Sequence, residues 1–564
     1  MSKLVAEATG ELKGAISKAL LSAAERLGIE LKETPNFEIE VPADCAHGDW
    51  STNAAMACAK AFRMPPLKIA ERIAENLNLS GTLFERFEIA GPGFINFHYS
   101  TAFYTGVLRE IEERGSQYGR SDYGRNQKVM VEYVSANPTG PMHMGNARGG
   151  ALGDCLASVL DAAGYNVSRE FYVNDAGNQI DKFAASLEAR YLQIYKGEDA
   201  VSFPEDGYHG DDIREIAREF ADGNGDKFIG TEPEARRKAL LDYALPKNIE
   251  KMKTDLEKYR ITYDTWFRES TLHNDGELDE TIGILRGKGM TYEKDGALWY
   301  RATAAGGEKD EVLVRQNGTP TYFAADIAYH RNKFVKRGFD RCIDVWGADH
   351  HGHVARMKGA MDALGLDGSR LDVVLIQLVR LVRGSEVVRM SKRTGKAIQL
   401  ADLLDEVPVD AARFYFNLRE ATSQMDFDLD LAVQQDSQNP VYYVQYAHAR
   451  ICSILKKLAA EGVKPRRCTD EELALLKAPE ELELIRHLSA CTGEIVAAAQ
   501  DYDPARMMRY VITLATLFHK FYTACRVKGE DESLTAARLC LCRATSTVLC
   551  NVLSMFKISA PESM

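Results

Sequence analysis

The stretch VMVEYVSANPTGPMHMGNARGGALGDCLASVLDAAG, residues 129–164, holds the most informative local pattern of this chain. Its apolar beginning predicts a buried strand, and the amphipathic part after the glycine-containing turn predicts a helix. Open parallel sheets bind nucleotides at such a turn. Gly145 leaves space for a ligand beside the backbone, and the first amides of the following helix favour a phosphate. His143 is placed to donate a hydrogen bond to that phosphate, and the plainer alternative is an ordinary loop histidine.

A second stretch, VVRMSKRTGK at residues 387–396, locally reverses the charge of the chain. Six arginine or lysine side chains fall within residues 380–396 and only Glu386 opposes them, whereas the whole chain has a net charge of −12. Such a reversal indicates a bound polyanion. The alternative is a solvated β-hairpin, because apolar and charged residues alternate on either side of Gly384-Ser385.

Together the two stretches resemble, in the same order, the HIGH and KMSKS signatures of class I aminoacyl-tRNA synthetases. Further segments resemble the arginyl-tRNA synthetase family in particular: EFYVNDAGNQI, FPEDGYHGDDI, TWFRES, TYFAADIAYH and WGADHHGHVARMKGA. The sequence departs from HIGH at Asn146, which replaces the second histidine, and from KMSKS at Arg389 and Arg393, which replace the first lysine and the final residue. Asn146 still offers a hydrogen-bond donor but does not become cationic.

Periodicity divides the chain into three parts. Strands and helices alternate over about 120–425, as in a parallel sheet with crossover helices, and an acidic insertion interrupts them at about 185–260. Residues 426–564 show helical spacing throughout, and residues 1–115 combine helices with a strand in GFINF. The resemblance implies a matching α/β architecture: a Rossmann-type parallel-sheet catalytic core, an N-terminal α/β appended domain that contacts the tRNA D-loop, and a C-terminal all-helical anticodon-binding bundle.

The resemblance implies a two-step ligase reaction. L-Arginine reacts with ATP to give arginyl-adenylate and pyrophosphate, and the arginyl group then moves to the 3′-terminal adenosine of tRNA(Arg). This chemistry needs donors and cations that stabilise phosphate charge, with Mg²⁺ on the phosphates, and no side-chain nucleophile. The catalytic candidates are His143, Asn146 and Lys392. The ATP-binding positions implied by the motifs are His143, Gly145, Asn146, Asp349, Met390, Ser391 and Lys392.

An arginine pocket needs carboxylates, because the guanidinium fork pairs with them bidentately and the ammonium of lysine does not. TYFAADIAYH predicts a helix after Thr321, on which Tyr322 and Asp326 share a face. Taken alone, Asp326 also suits a solvated helix charge. The arginine-binding positions implied by the resemblance are Ser135, Asn137, Glu269, Tyr322, Asp326 and His350. Among these, the short polar side chains before the HMGN turn suit the α-amino and carboxylate end of arginine, and the two acids suit its guanidinium.

The resemblance also implies residues that contact tRNA. Phe94 and Asn96 in GFINF align with positions that meet the outer corner of tRNA, although simple strand alternation explains them equally well. Tyr442 and Tyr446 offer aromatic faces to unstacked anticodon bases. Packing within a helical bundle is the alternative explanation for these two tyrosines.

Composition agrees with a large cytoplasmic enzyme. The 564 residues are 45% hydrophobic, and the sequence shows neither an apolar leader nor an apolar run of membrane length. The eleven cysteines form no CxxC pair, so we expect free thiols. The histidines of GADHHGHV follow a strand at the nucleotide edge of the sheet, where the family carries no metal ligands, so no zinc is expected. A monomer without membrane contact is the expected state.

Three other functions fit parts of the sequence. A catalytically silent tRNA-binding paralogue is favoured by Asn146 and opposed by His143 and Lys392. A nucleotidyltransferase that makes a small-molecule cofactor shares the HxGH pattern but lacks the domains that occupy both ends of this chain. A class I synthetase for another amino acid is opposed by Glu269 and Asp326, because paired acids suit a cationic substrate.

Overall fold

The computed structural model of the chain describes residues 3–31, 33–42, 47–384, 386–388 and 398–564. The elements of its first unit are α1 (Lys3–Arg26), β1 (Ile39–Glu40), β2 (Trp50–Thr52), α2 (Ala54–Ala57), α3 (Ala59–Phe62), α4 (Pro66–Asn76), β3 (Phe84–Ala90), β4 (Phe94–Tyr99) and α5 (Thr101–Arg114). The strands form an antiparallel sheet in the order β1-β2-β4-β3. Ile95 and Phe97 alternate along β4 and are fully buried, which confirms the strand predicted in GFINF.

A five-stranded parallel sheet follows as the centre of the molecule. The elements up to its insertion are β5 (Lys128–Glu132), α6 (Gly145–Ala162), β6 (Asn166–Val173), α7 (Asn178–Lys196), α8 (Asp211–Asn224), α9 (Pro233–Lys258) and β7 (Thr265–Arg268). The apolar residues 129–131 form the buried part of β5, and α6 begins at the glycine-containing turn, as the sequence predicts. Helices α7 to α9 have their own core around Phe183, Phe220 and Leu240.

The remaining elements of this unit are α10 (Glu269–Asn274), α11 (Glu277–Gly287), β8 (Thr291–Lys294), β9 (Ala297–Tyr300), β10 (Glu311–Val314), α12 (Tyr322–Arg331), a π-helical turn (Asn332–Lys336), β11 (Arg341–Gly347), α13 (His351–Leu364), β12 (Leu371–Ile376), β13 (Val379–Arg383), β14 (Glu386–Val387), α14 (Leu400–Glu406), α15 (Val409–Phe416), β15 (Met425–Asp428) and α16 (Leu429–Val433). The parallel sheet has the order β12-β11-β5-β6-β7. The predicted helix after Thr321 is confirmed, because the Thr321 side chain accepts from the Ala324 amide and caps α12.

Regular strand–helix alternation does not describe the segment between β7 and β11. There β8, β9 and β10 form a separate antiparallel sheet. Its first hairpin turns at Asp295 and Gly296, both with positive φ, which is the Asp-Gly signal of a tight hairpin turn. The strand–helix alternation expected over about 120–425 is therefore wrong for this segment, where the local Asp-Gly signal in EKDGAL decides the structure.

The C-terminal unit is helical. Its helices are α17 (Pro440–Ala460), α18 (Asp470–Leu473), α19 (Pro479–Ser489), α20 (Cys491–Gln500), α21 (Ala505–Ala524) and α22 (Glu532–Met555). Among the described residues, α22 alone is long and apolar enough to cross a membrane by length and composition, a test that core helices also pass, and 61% of its most apolar window is buried. Its buried residues pack in the core shared by the bundle.

Polar contacts join the helical bundle to both other units. Arg109 on α5 pairs with Asp470 (2.9 Å), and the Tyr502 hydroxyl donates to Asp372 Oδ2 (2.8 Å) on the edge strand β12. The end of the chain returns to the unit with the parallel sheet, where Lys557 Nζ lies 2.8 Å from Asp154 Oδ1 on α6. The segment beyond α22 is therefore docked on the rest of the molecule.

Candidate active site

The chain leaves β5 through a turn with unusual backbone geometry. Val134 (φ +71°) and Ser135 (φ +42°) both lie in the left-handed region, which a β-branched valine rarely adopts. The Ser135 hydroxyl donates to Glu132 Oε1 (2.8 Å) and accepts from the Tyr172 amide (3.1 Å), so side chains hold the turn in this conformation. Strained backbone of this kind is typical of functional sites. Ser135 and Asn137 line a cavity at the carboxyl edge of the sheet.

A buried ion network supports this turn. The fully buried Lys333 places Nζ 2.6 Å from Glu132 Oε2 and 2.8 Å from Asp344 Oδ1, and His330 Nε2 lies 2.7 Å from Asp344 Oδ2. Burial opposes both ionised forms, yet Asp344 and Glu132 raise the pKa of Lys333, and Lys333 and His330 lower the pKa of Asp344 to about 2. The lysine and the aspartate therefore stay charged and hold Glu132, the partner of Ser135.

The HMGN turn forms one end of the site. His143 and Asn146 border a cavity of about 690 Å³, and the His143 amide donates to Asn146 Oδ1 (3.1 Å). Helix α6 begins at Gly145, where an added Cβ would meet only open space. Asn248 on α9 donates to the Pro138 carbonyl (2.8 Å) and so holds the preceding loop. The turn therefore leaves free space at the positive end of α6, where a phosphate is favoured by the helix dipole.

The segment that follows the second signature stretch pairs with the HMGN turn. The Met144 amide donates to the Ile398 carbonyl (3.0 Å), and His143 forms a β-bridge with Gln399. The turn and the segment that directly follows the basic stretch are therefore adjacent in space. The predicted ATP contacts that lie outside the described residues, and so stay predictions, are Met390, Ser391 and Lys392.

Acidic side chains line the other end of the site. Glu269, only 4% exposed, borders a cavity of about 260 Å³ together with Tyr322. Asp326, one turn further along α12, borders the neighbouring cavity of about 460 Å³, and its Oδ2 lies 3.2 Å from His353 Nε2. Asn137 borders both this cavity and the cavity of the HMGN turn. The predicted nucleotide and amino-acid ends thus meet at Asn137.

Glu269 lies in surroundings that favour its neutral form. Burial is the main cause, the nearby carboxylate of Asp326 adds to it, and the Tyr172 hydroxyl opposes it; the pKa of Glu269 is raised to about 7. In the side-chain orientation that gives both its nitrogen and its oxygen a hydrogen-bond partner, the Asn174 amide donates to Glu269 Oε2 (2.6 Å). A cation bound here would lie beside Glu269 and Asp326, and it would favour the ionised form of Glu269.

Asp349 and His350 lie just beyond the carboxyl end of β11. Their side chains are 81% and 61% exposed, and both border the cavity that contains Asp326. They are therefore open to a ligand in that cavity. Over the part of the chain that the structure describes, no group of three or more histidine, cysteine, aspartate or glutamate side chains is arranged to hold a metal ion.

The predicted tRNA contacts lie in two other units. Phe94 is half-buried at the start of β4, and Asn96 is 3% exposed, so little of that amide is open to a partner. Tyr442 and Tyr446 lie one turn apart on the same face of α17. Their rings are nearly parallel, with centroids 6.4 Å apart. The Arg450 guanidinium lies 4.8 Å from the Tyr446 ring centroid, so this face offers aromatic and cationic groups together.

Comparison with known families covers each unit of the chain. Residues 108–451 match the family described as tRNA synthetases class I (R), catalytic domain. Residues 10–99 match the Arginyl tRNA synthetase N terminal domain, and residues 444–564 match the DALR anticodon binding domain. The chain belongs to the arginyl-tRNA synthetase family. It is thus an enzyme of the ligase class, with the class I core, appended domain and helical C-terminal domain that the sequence predicts.

Full-length relatives agree with this family assignment. The chain is 57% identical over 564 residues to the arginine–tRNA ligase of Caldanaerobacter subterraneus, with 100% of both chains covered. It is 56% identical over 558 residues to that of Acetivibrio thermocellus, covering 98% of this chain and 97% of the relative. The solved Thermus thermophilus arginyl-tRNA synthetase shares its fold, with a TM-score of 0.72 and 23% identity over 98% of this chain and 100% of that one.

The structure places further side chains at the site that the sequence analysis did not name as site residues. The insertion supplies Tyr208, Asp212 and Lys251 to the cavity of the HMGN turn. Asn174 and His353 contact the two candidate arginine-binding acids. Segments such as GYHGDDI carried a signal, because they contributed to the resemblance, but spacing alone did not indicate which side chains face the site.

Proposed function

We propose that this site joins L-arginine to tRNA(Arg) in two steps, the arginine–tRNA ligase reaction. The observation that carries the proposal is the position of Asn137, which borders both the cavity of the HMGN turn and the cavity of Asp326. The cavity of the HMGN turn and the cavity of Asp326 therefore share a wall, and Glu269 borders the next cavity. The full-length likeness to arginine–tRNA ligases supports the same reaction.

In the first step, the arginine carboxylate attacks the α-phosphorus of ATP and pyrophosphate leaves. His143 and Asn146 donate hydrogen bonds to phosphate oxygens, and Lys392 neutralises the charge that grows on the leaving pyrophosphate. ATP enters as its magnesium complex, with the metal on the phosphate oxygens. The remaining proposed ATP contacts are Gly145, Asp349, Met390 and Ser391.

Arginine is held by charge at one end and by short polar groups at the other. Glu269 and Asp326 pair with the guanidinium, and Ser135 and Asn137 hold the α-amino and carboxylate end. Tyr322 borders the cavity of Glu269 together with Gly177, whose backbone has a positive φ (+79°), and a side chain at Gly177 would meet the Tyr322 ring. His350 contacts the aminoacyl group from the carboxyl edge of β11.

In the second step, the terminal adenosine of tRNA attacks the adenylate through its 2′-hydroxyl and AMP leaves. Tyr442 and Tyr446 stack on anticodon bases, and Phe94 and Asn96 meet the outer corner of tRNA. Bound tRNA precedes amino-acid activation, as the family resemblance implies. The protein acts as a cytoplasmic monomer without membrane contact.

The test is to charge total tRNA with each radiolabelled amino acid in turn, in the presence of ATP and Mg²⁺, and to measure pyrophosphate exchange with and without tRNA. Charging by arginine alone, with exchange only when tRNA is present, supports the proposal. Charging by another amino acid overturns the role of the acidic pocket. Binding of tRNA without charging indicates a silent paralogue and makes Asn146 the first residue to restore to histidine.

A further inference from the structure

Two cysteines differ from all the others in the described chain. Of the ten cysteines described, eight are buried, and only Cys452 on α17 and Cys550 on α22 are partly exposed. Both contact the same imidazole: His448 Nε2 lies 3.1 Å from Cys550 Sγ and 3.7 Å from Cys452 Sγ. The two partly exposed cysteines of the described chain are therefore neighbours on facing helices.

The histidine between them is held in one tautomer. His448 Nδ1 lies 2.9 Å from the Pro561 carbonyl, which only accepts hydrogen bonds, so Nδ1 carries the hydrogen and Nε2 presents its lone pair to the thiols. Burial raises the pKa of both Cys452 and Cys550. A thiol in this setting needs a base to become a thiolate, and the free Nε2 is in position to be that base.

The C-terminal tail keeps the cluster in place. Gln445 Nε2 donates to the Ser559 carbonyl (2.9 Å), and Lys456 Nζ lies 2.8 Å from Glu562 Oε2. These contacts lie on α17 on either side of His448, so the tail runs along the helix that carries the first thiol. The cluster is thus a built arrangement of α17, α22 and the tail, and it is distant in sequence from the proposed ATP-binding and arginine-binding residues.

We propose that Cys452 and Cys550 are a peroxide-sensitive pair that closes to a disulfide between α17 and α22, with His448 as the proton acceptor. The Cys550 thiol gives its proton to Nε2, and the thiolate attacks one peroxide oxygen, whose O–O bond breaks. The departing hydroxide takes the proton from the imidazolium and leaves as water, and a sulfenic acid remains. The Cys452 sulfur then attacks the sulfenic sulfur, its proton leaves with the hydroxyl as a second water, and the S–S bond forms.

The first experiment uses the full-length protein without substitutions. It is treated with a small excess of hydrogen peroxide, alkylated with N-ethylmaleimide and digested without reductant for mass spectrometry. The expected product is a pair of peptides joined through Cys452 and Cys550, lighter by two hydrogens and separated again by dithiothreitol. Prior oxidation of a buried cysteine, or sulfinic acid at either thiol without a cross-link, overturns the proposal.

Variants then separate the roles within the cluster. Cys452→Ser is expected to abolish the cross-link and to leave a sulfenic acid on Cys550 that dimedone traps. The matched control is Cys468→Ser, a buried cysteine of the same bundle, which keeps the cross-link. His448→Gln is expected to slow cross-linking by about tenfold or more, and an unchanged rate removes the histidine as base.

A metal site is the rival occupant of the same side chains. Stoichiometric zinc in the purified protein, which protects both thiols from N-ethylmaleimide and is lost in Cys452→Ser, overturns the redox proposal. Circular dichroism of each variant detects a failure to fold. If a variant fails to fold, the cross-link in the unsubstituted protein still decides the proposal, because it does not depend on any variant.

Discussion

At the scale of single residues, a substitution of Asp326 is the sharpest test of the arginine pocket. Its carboxylate lies beside His353 and borders a cavity that Asn137 connects to the cavity of the HMGN turn. Asp326→Ala is expected to raise the KM for arginine by about tenfold or more and to change the KM for ATP much less, since a charge-assisted pair is lost. Initial charging rates at varied arginine and ATP measure this. Equal effects on both constants remove Asp326 from the pocket, and Glu293→Ala on the exposed hairpin is the control.

Glu269 couples the same pocket to pH. Because its pKa is raised to about 7 in the folded protein, its contribution to stability is fully present below the ordinary glutamate pKa and is lost as pH rises through about 7. Glu269→Gln is therefore expected to make the arginine-free protein more stable at about pH 8.5, by up to roughly 3 kcal/mol, and no more stable at about pH 4.

Urea unfolding at the two pH values measures that difference, and charging assays measure the accompanying loss of arginine affinity. A variant whose stability follows the same pH curve as the unsubstituted protein contradicts the assignment. When the pocket is empty, ionised Glu269 lowers the stability of the folded protein. A bound cation compensates this cost by pairing with the carboxylate.

Lys392 is tested through its chemistry, because it lies outside the described residues. Lys392→Ala is expected to depress adenylate formation by at least about tenfold while tRNA binding stays nearly unchanged, since one cation on the leaving pyrophosphate is lost. Single-turnover adenylate formation and filter binding of tRNA separate the two effects. Loss of tRNA binding alone would reassign the loop to RNA recognition.

At the scale of elements, helix α6 depends on two glycines in different ways. A Cβ at Gly153 would overlap the ring of Tyr133 next to β5, whereas a Cβ at Gly145 would meet open space. Gly153→Ala is expected to separate the helix from the sheet and to lower the free energy of unfolding by about 3 kcal/mol. Gly145→Ala is its matched control, with stability nearly unchanged and a higher KM for ATP, and denaturant unfolding with ATP titration tests both.

Contradictory outcomes are distinct for the two glycines. An unchanged stability of Gly153→Ala would mean that the contact of α6 with β5 relaxes easily. An unchanged KM for ATP in Gly145→Ala would mean that no ligand approaches the start of α6, and the phosphate-binding role of the turn would be wrong.

At the scale of the whole molecule, the C-terminal tail ties the helical bundle to the catalytic unit. The Ser559 amide donates to Asp410 Oδ1 (3.1 Å), and the Ser559 carbonyl accepts from Gln445 (2.9 Å). Removal of residues 559–564 is expected to lower the melting temperature by a few degrees, because these bonds are lost together. Calorimetry measures the shift, Lys457→Ala on the exposed face of α17 is the surface control, and an unchanged melting temperature would show that the tail adds no stability.

Local patterns in the sequence were sufficient for much of the fold. Residues 129–131 have the apolar run of a buried strand, and Thr321 caps a helix where the sequence places one, because periodicity and capping involve neighbours along the chain. The hairpin at Asp295-Gly296 had an equally local signal and was missed through an assumed alternation. Motif order identified the family, but it did not show that Asn96 is almost fully buried.

The sequence by itself determined the family, the three-part architecture and the residues of the HMGN turn, because each is written in short segments whose order can be read directly. Only the tertiary structure decided that Lys333 joins Glu132 to Asp344, that Asn137 borders two cavities, and that Cys452 and Cys550 share His448. These contacts join residues of different elements, so they depend on how strands and helices pack in three dimensions. Spacing along the chain carries no direct record of that packing.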